Sequence, residues 1–74
     1  MTHQEIKILI DLVEKKLNDN EAGLTNKEKK RLSYIKDNLK QELMKINTGG
    51  LTMESVTQIL NLVSLFMKFL MGDS

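Results

Sequence analysis

The C-terminal third of this chain constrains its fold most, because it is far more apolar than the rest of the sequence. Ten of the thirteen residues from Ile59 to Met71 are hydrophobic, and only Asn61, Ser64 and Lys68 interrupt them. Arranged as a helix, the apolar positions cover about two-thirds of the circumference, whereas a helix that packs on one neighbour needs a stripe of about 100°. This segment therefore offers more apolar surface than a single helix contact can bury.

Hydrophobic periodicity predicts three helices, over about residues 2–20, 25–47 and 52–71. The short connections between them favour an antiparallel hairpin for the first two helices. The sequence therefore predicts an all-α fold, a three-helix domain composed of a helical hairpin and an apolar C-terminal helix. At 74 residues, the chain is long enough for one domain only.

Helix ends are marked by residues with capping chemistry. Thr25 and Glu28 have the spacing of a capping box at the start of the second helix, and Thr2 could cap the first. Gly49 is expected to take the left-handed conformation that ends the second helix. The apolar stripe predicted for that helix has a heptad-like spacing and consists of Leu32, Ile35, Leu39, Leu43 and Ile46.

The wide apolar surface of the third helix predicts a partner, because soluble monomers rarely expose a patch of several hundred Å². We expect a second copy of the chain, which would give a homodimeric helical bundle. Another protein that binds the helix, a membrane surface and a wide core helix within one chain remain alternatives. A membrane is the less favoured partner, because polar residues interrupt the apolar run. The residues predicted at the interface are Ile59, Leu62, Leu65, Phe66 and Phe69.

Composition excludes most catalytic and metal-binding chemistry. The chain contains no cysteine and a single histidine, His3, so disulfide scaffolds, thiolate zinc sites and multi-histidine metal sites are excluded. His3 lies near the terminus and is expected to be solvated. Gly49 and Gly50 precede a helix but lack the lysine of a phosphate-binding loop. We therefore predict a non-enzymatic protein without a cofactor or metal.

Basic residues cluster at the start of the second helix, although the net charge is only +1. The cluster could contact nucleic acid, but interspersed acidic residues also fit an ordinary solvated surface. It consists of Lys27, Lys29, Lys30 and Arg31. No secretory signal is recognisable, so a cytoplasmic location is expected. The lysine- and asparagine-rich composition also suits small proteins of phages or mobile elements.

Ser33 and Asp37 resemble two positions of the Ser-Gln-Glu-Leu-Asp run in short two-helix aspartyl-phosphate phosphatases. Gly23, Leu24 and Thr25 precede them in a similar order. The residues between Ser33 and Asp37 differ from that run, and the third helix has no counterpart in it. The favoured prediction is therefore a protein-binding module, such as an adaptor, inhibitor or assembly factor. A small dimeric nucleic-acid-binding regulator is the alternative.

Overall fold

A computed structural model of the chain describes residues 3–19, 21 and 23–72. Within these residues the fold is entirely helical, which confirms the predicted all-α class. The three helices are α1 (His3–Leu17), α2 (Asn26–Gly49) and α3 (Met53–Leu70). The cap predicted at Thr2 lies outside the described residues.

The longest helix, α2, packs against both α1 and α3 and makes the principal helix–helix contacts of the fold. The residues near the C-terminal end of α1 and those near the C-terminal end of α3 line one shared groove. These two helices therefore run parallel to each other and antiparallel to α2. An ion pair of 3.1 Å between Lys40 Nζ and Glu14 Oε1 links α2 to the side of α1.

One apolar core lies between the three helices. Each helix contributes side chains spaced three or four residues apart, as expected for helices that bury one face. The buried hydrophobic residues are Ile6, Ile10, Val13, Leu32, Ile35, Leu39, Ile46, Ile59, Leu62 and Phe66. Leu43 and Phe69 pack against this core from its edge.

The structure corrects one position of the stripe predicted for α2. Glu42, rather than Leu43, is buried between Leu39 and Ile46, and it is only 5% exposed. Positions 39, 42 and 46 continue the alternating spacing of three and four, which keeps one line of side chains facing a neighbouring helix. Leu43 lies about 100° further around the helix and is only partly buried. The predicted stripe followed hydrophobicity and so passed over the buried carboxylate.

The turns before and after α2 each contain a glycine with a positive φ. Gly23, in the connection between α1 and α2, has a φ of 63°, and Gly50 has a φ of 81° after the last turn of α2. Side chains disfavour such positive φ values, so glycine is the natural residue at both positions. The positive φ predicted for Gly49 therefore lies one residue later, and Gly49 itself is the last helical residue.

The predicted capping box at the start of α2 is confirmed. The Glu28 amide donates to Thr25 Oγ1 at 3.1 Å, and the Thr25 amide donates to Glu28 Oε1 at 2.9 Å. Two amides that have no partner within the helix are thus satisfied. We expect Thr25→Ala to lower the free energy of unfolding by about 1 kcal/mol, as measured by urea denaturation.

Thr48→Ala is the control for this prediction. Thr48 is an exposed threonine of the same helix, and its hydroxyl donates to carbonyls of the preceding turn. Removing that hydroxyl leaves no amide without a partner, so we expect a smaller change in stability. Equal losses from the two variants would contradict a special role for the cap.

The capping box also predicts an acid dependence of stability. Hydrogen bonds with the backbone amide and with the side chain of Thr25 hold the pKa of the Glu28 carboxyl below its ordinary value of 4.5. This contribution is fully present above the unfolded-state pKa and is lost as the pH falls through the lowered folded-state pKa. The stability advantage of wild type over Glu28→Gln should therefore shrink on acidification from pH 6 to pH 3. An advantage that is constant over this range would contradict the assignment.

Candidate interaction surface

Helix α3 carries two apolar faces, and the structure shows which of them forms the core. We call the buried face the inner seam. Its residues are separated by 4, 3, 4 and 3 positions, and α1 and α2 bury most of their surface. Ile59 is 0% exposed, Leu62 1% and Phe66 5%, while Phe69 is partly buried. The members of the inner seam are Ser55, Ile59, Leu62, Phe66 and Phe69.

This arrangement corrects the predicted orientation of α3. Ile59, Leu62 and Phe66 were expected on the outer side, where they would meet a partner, but they are core residues of the single chain. Two further residues were predicted at the interface, Leu65 and Phe69. Of these, Leu65 is 39% exposed and lies outside the core. A partner cannot contact the three buried residues unless the core opens. The expected contact between chains remains a prediction, but these three residues do not provide its surface.

Side-chain entropy gives a physical reason for this choice of face. The alternative face contains Met53 and Met67, whereas the buried face contains the branched Ile59 and the aromatic Phe66. Fixing a methionine costs about 1.5–2 kcal/mol of rotamer entropy, compared with about 0.5–1 kcal/mol for isoleucine or leucine. Burying the stiffer side chains therefore costs less.

A face about 100° around α3 from the inner seam forms a second regular stripe, the outer seam, because each of its members after Met53 directly follows an inner-seam residue. Its spacing is 3, 4, 3, 4, 3 over the whole helix, which is the pattern of a helix that packs against another helix. Its members are Met53, Val56, Leu60, Val63, Met67 and Leu70. Met53 is 80% exposed, and Leu60, Met67 and Leu70 are each 54% exposed. The outer seam therefore has the pattern of a helix contact that is largely unfilled.

Apolar side chains of α1 extend this surface. Leu12 is 46% exposed and lines a groove with Phe66 and Leu70 of α3. Ile8, one turn before Leu12, is 49% exposed. Lys15, Lys16 and Asp19 also line this groove. The outer seam, Ile8 and Leu12 together constitute the candidate interaction surface.

A polar groove of about 690 Å³ lies near the turn between α2 and α3. Glu42 lines it and accepts a 3.2 Å hydrogen bond from Lys45 Nζ through its Oε2 atom. Ser55, 6% exposed, lies on the α3 side, where its Oγ accepts a hydrogen bond from the Thr52 hydroxyl. The lining of this groove has amide, hydroxyl and carboxylate groups and the Lys45 ammonium, but no histidine or cysteine, so it lacks the serine–histidine and cysteine–histidine pairs of nucleophilic catalysis.

The four basic residues predicted to contact nucleic acid do not share one surface. They lie in the first turns of α2 and are all exposed. Successive helix positions are about 100° apart, so Lys27, Lys30 and Arg31 occupy one arc while Lys29 points to another side. Tyr34, which is 54% exposed, continues that arc one turn later.

Within residues 3–19, 21 and 23–72, the other histidine, serine and acidic side chains considered as candidates do not form a site together. His3 begins α1 and is exposed. Across the described ranges, no group of three or more histidine, cysteine, aspartate or glutamate side chains is placed to hold a metal ion. Ser33 is half-buried, and Asp37 is exposed beside Lys36 at 4.0 Å. These positions therefore add no candidate active site in the part of the chain that the structure describes.

Comparison of the chain with family models, curated proteins and solved structures found no match in any of the three. The resemblance to two-helix phosphatases is therefore not supported by a family match. Of the helices described, none has both the length and the hydrophobicity required to cross a lipid bilayer.

Proposed function

We propose that this chain is a small, non-enzymatic protein-interaction module, an adaptor, inhibitor or assembly factor that acts by packing a helix face against another protein. The observation that carries the proposal is the outer seam of α3, which keeps heptad spacing over 18 residues while its largest side chains stay half or more exposed. A surface helix without a partner needs polar residues at such positions.

The packing of the core supports this proposal. The inner seam already gives α3 a complete contact with the rest of the chain, with Ile59 and Leu62 almost fully buried. Within the outer seam, Val63 packs against the edge of the core, whereas Met53, Leu60, Met67 and Leu70 stay half or more exposed and lie outside it. Leucine and methionine along a groove suit the binding of an apolar helix face, since methionine adapts its shape to its partner.

A matched pair of variants tests the proposal. Leu60→Glu places a charge in the middle of the outer seam, and Leu65→Glu places the same charge on α3 outside both seams. We expect affinity-tagged wild type and Leu65→Glu to retain the same protein from lysates of the organism that encodes the chain. Leu60→Glu should lose that protein, because a charge buried in an apolar contact is strongly unfavourable.

The comparison also defines the contrary result. If wild type and both variants retain identical sets of proteins, the outer seam does not bind another protein. Circular dichroism of each variant confirms that the helices are intact, which is expected because residue 60 is 54% exposed in wild type.

A second candidate function is nucleic-acid binding, which is favoured by the arc of Lys27, Lys30, Arg31 and the exposed Tyr34. Cations provide the salt-dependent attraction to phosphates, and an aromatic ring provides a stacking surface for a base. Hydrogen bonds with Thr25 are the main cause of the lowered pKa of the Glu28 carboxyl, and the positive charges of Arg31 and Lys16 add to it.

Salt dependence tests this second candidate. A fluorescent single-stranded or duplex oligonucleotide should bind at low salt, and its affinity should fall steeply with added salt. Lys30→Glu should weaken binding more than Lys40→Glu, because Lys40 lies away from the arc beside Glu14. Absence of binding at low salt would eliminate this candidate.

A further inference from the structure

We infer that the occupant of the outer seam is a second copy of this chain, packed in the antiparallel direction about a two-fold axis that passes between Leu60 and Val63. The inference rests on the proposed function and specifies its partner. In the resulting dimer, α3 of one protomer lies against α3 of its partner, and each α1 lies beside the contact. Each protomer's own core stays as the structure shows it.

The outer seam is complementary to itself in this direction. Reversing α3 about its centre places Met53 opposite Leu70 of the other copy, Val56 opposite Met67, and Leu60 opposite Val63. Each valine thus meets a longer side chain, so small and large residues alternate across the contact as interdigitated packing requires. All six seam positions are apolar, so this pairing buries no polar side chain from the seam.

The charges at the ends of the surface favour the same direction. The first turn of α1 carries Glu5 at one end of the surface, whereas Glu54 of α3 lines the polar groove against α2. At the other end, Lys15 and Lys16 of α1 outnumber Asp19, which lines the groove at Leu12 with them. A two-fold axis across the middle brings the acidic end of one copy to the basic end of the other. A parallel arrangement would instead bring like charges together.

The exposed area matches what a dimer requires. From the exposed fractions of the outer seam, Ile8 and Leu12, one chain offers roughly 600–800 Å² of apolar side-chain surface, close to the about 800 Å² per partner of a standard interface. This is at or above the largest apolar patch of a typical monomer, about 300–600 Å². A second copy would cover both patches at once.

Analytical ultracentrifugation tests the association. Wild type and the control Leu65→Glu should sediment as dimers at about 10–100 μM, and Leu60→Glu should raise the dimer dissociation constant by about 100-fold or more, since both copies carry the buried charge. A wild-type monomer at 100 μM would overturn the inference, as would a Leu60→Glu variant that remains as dimeric as wild type.

Engineered cysteines test the direction, because the natural chain has none. An oxidised mixture of Val56→Cys and Met67→Cys chains should form a mixed disulfide, which mass spectrometry identifies. Val56→Cys alone should not cross-link to itself, because the two copies of residue 56 lie about 16 Å apart along the axis, beyond the reach of a disulfide. Efficient self-linking of Val56→Cys would show a parallel dimer and overturn the inferred arrangement.

The two sets of experiments separate the inference from the proposed function. A monomeric wild type that still binds another protein through Leu60 rejects the second copy and retains the interaction module. A dimer that contains the mixed disulfide but binds nothing else supports the second copy and rejects the adaptor function. The cysteine variants keep the direction testable even if Leu60→Glu does not fold.

Discussion

Replacing Leu62 with alanine is expected to lower the free energy of unfolding by about 3 kcal/mol, because it leaves a cavity at a fully packed position. Leu62 is 1% exposed and lies in the core formed by all three helices. A chain of this size has a total stability of only about 4–11 kcal/mol, so the loss is a large part of it. Urea denaturation followed by circular dichroism, at one fixed protein concentration, measures the change.

Leu65→Ala is the matched control for this experiment, since it removes the same atoms from the same helix. Leu65 is 39% exposed and belongs to neither seam, so we expect a loss of about 1 kcal/mol or less. If Leu62→Ala instead left unfolding unchanged and only separated dimers, the inner seam would be an interface between chains. The assignment of the two faces of α3 would then be reversed.

Replacing Glu42 with leucine is expected to raise the free energy of unfolding by about 1–3 kcal/mol. The carboxylate is buried in an otherwise apolar line, between Leu39 and Ile46. Its ion pair with Lys45 returns little energy, because the Lys45 side chain is 66% exposed. Leucine removes the desolvation cost of the charge and leaves Lys45 free to be hydrated by water.

Gln41→Leu is the control, because it adds a leucine to the same helix at an exposed position. We expect its effect on stability to lie within about 0.5 kcal/mol. Thermal and urea denaturation of the two variants distinguish burial from helix propensity. A less stable Glu42→Leu protein would show that the contacts of the carboxylate outweigh its desolvation, and that α2 and α3 need it to pack together.

Local signals in the sequence were sufficient to predict the helices. Thr25 and Glu28 identify the start of α2 because a capping box depends only on residues three positions apart. The turns at Gly23 and after α2 are likewise local, although the positive φ falls at Gly50 rather than Gly49. Helix existence and type could therefore be predicted to within a few residues at each end.

The orientation of α3 could not be predicted in the same way. The face that contains Leu62 and the face that contains Leu60 have equally regular spacing, so periodicity does not distinguish them. The choice depends on how the side chains fill the space against α1 and α2, as well as on the lower entropy cost of fixing Ile59 than of fixing Met53 or Met67. Glu42 was missed for a related reason, because a hydrophobicity pattern assigns a carboxylate to the surface even where helix geometry turns it inward.

The candidate surface was predicted on α3, but three of its five residues, Ile59, Leu62 and Phe66, lie in the core of the single chain. The excess of apolar residues on α3 is visible in composition alone, and the structure retains that excess as the outer seam. The basic cluster shows a similar limit, because four cations within five residues appear as one patch in a sequence. On a helix they separate, and Lys29 leaves the arc that holds Lys27, Lys30 and Arg31.

The position of α2 between the other two helices has a consequence for kinetics. The principal contacts of α2 are with the helices that immediately precede and follow it along the chain. Because these contacts join segments that are close in sequence, the contact order is low, as is typical of helical bundles that fold in microseconds to milliseconds. Encounter between two molecules at micromolar concentration takes far longer than that when association rate constants are about 10⁵–10⁷ M⁻¹s⁻¹. If the proposed dimer forms, the concentration of the chain in its cell, rather than the speed of its folding, therefore determines how soon it assembles.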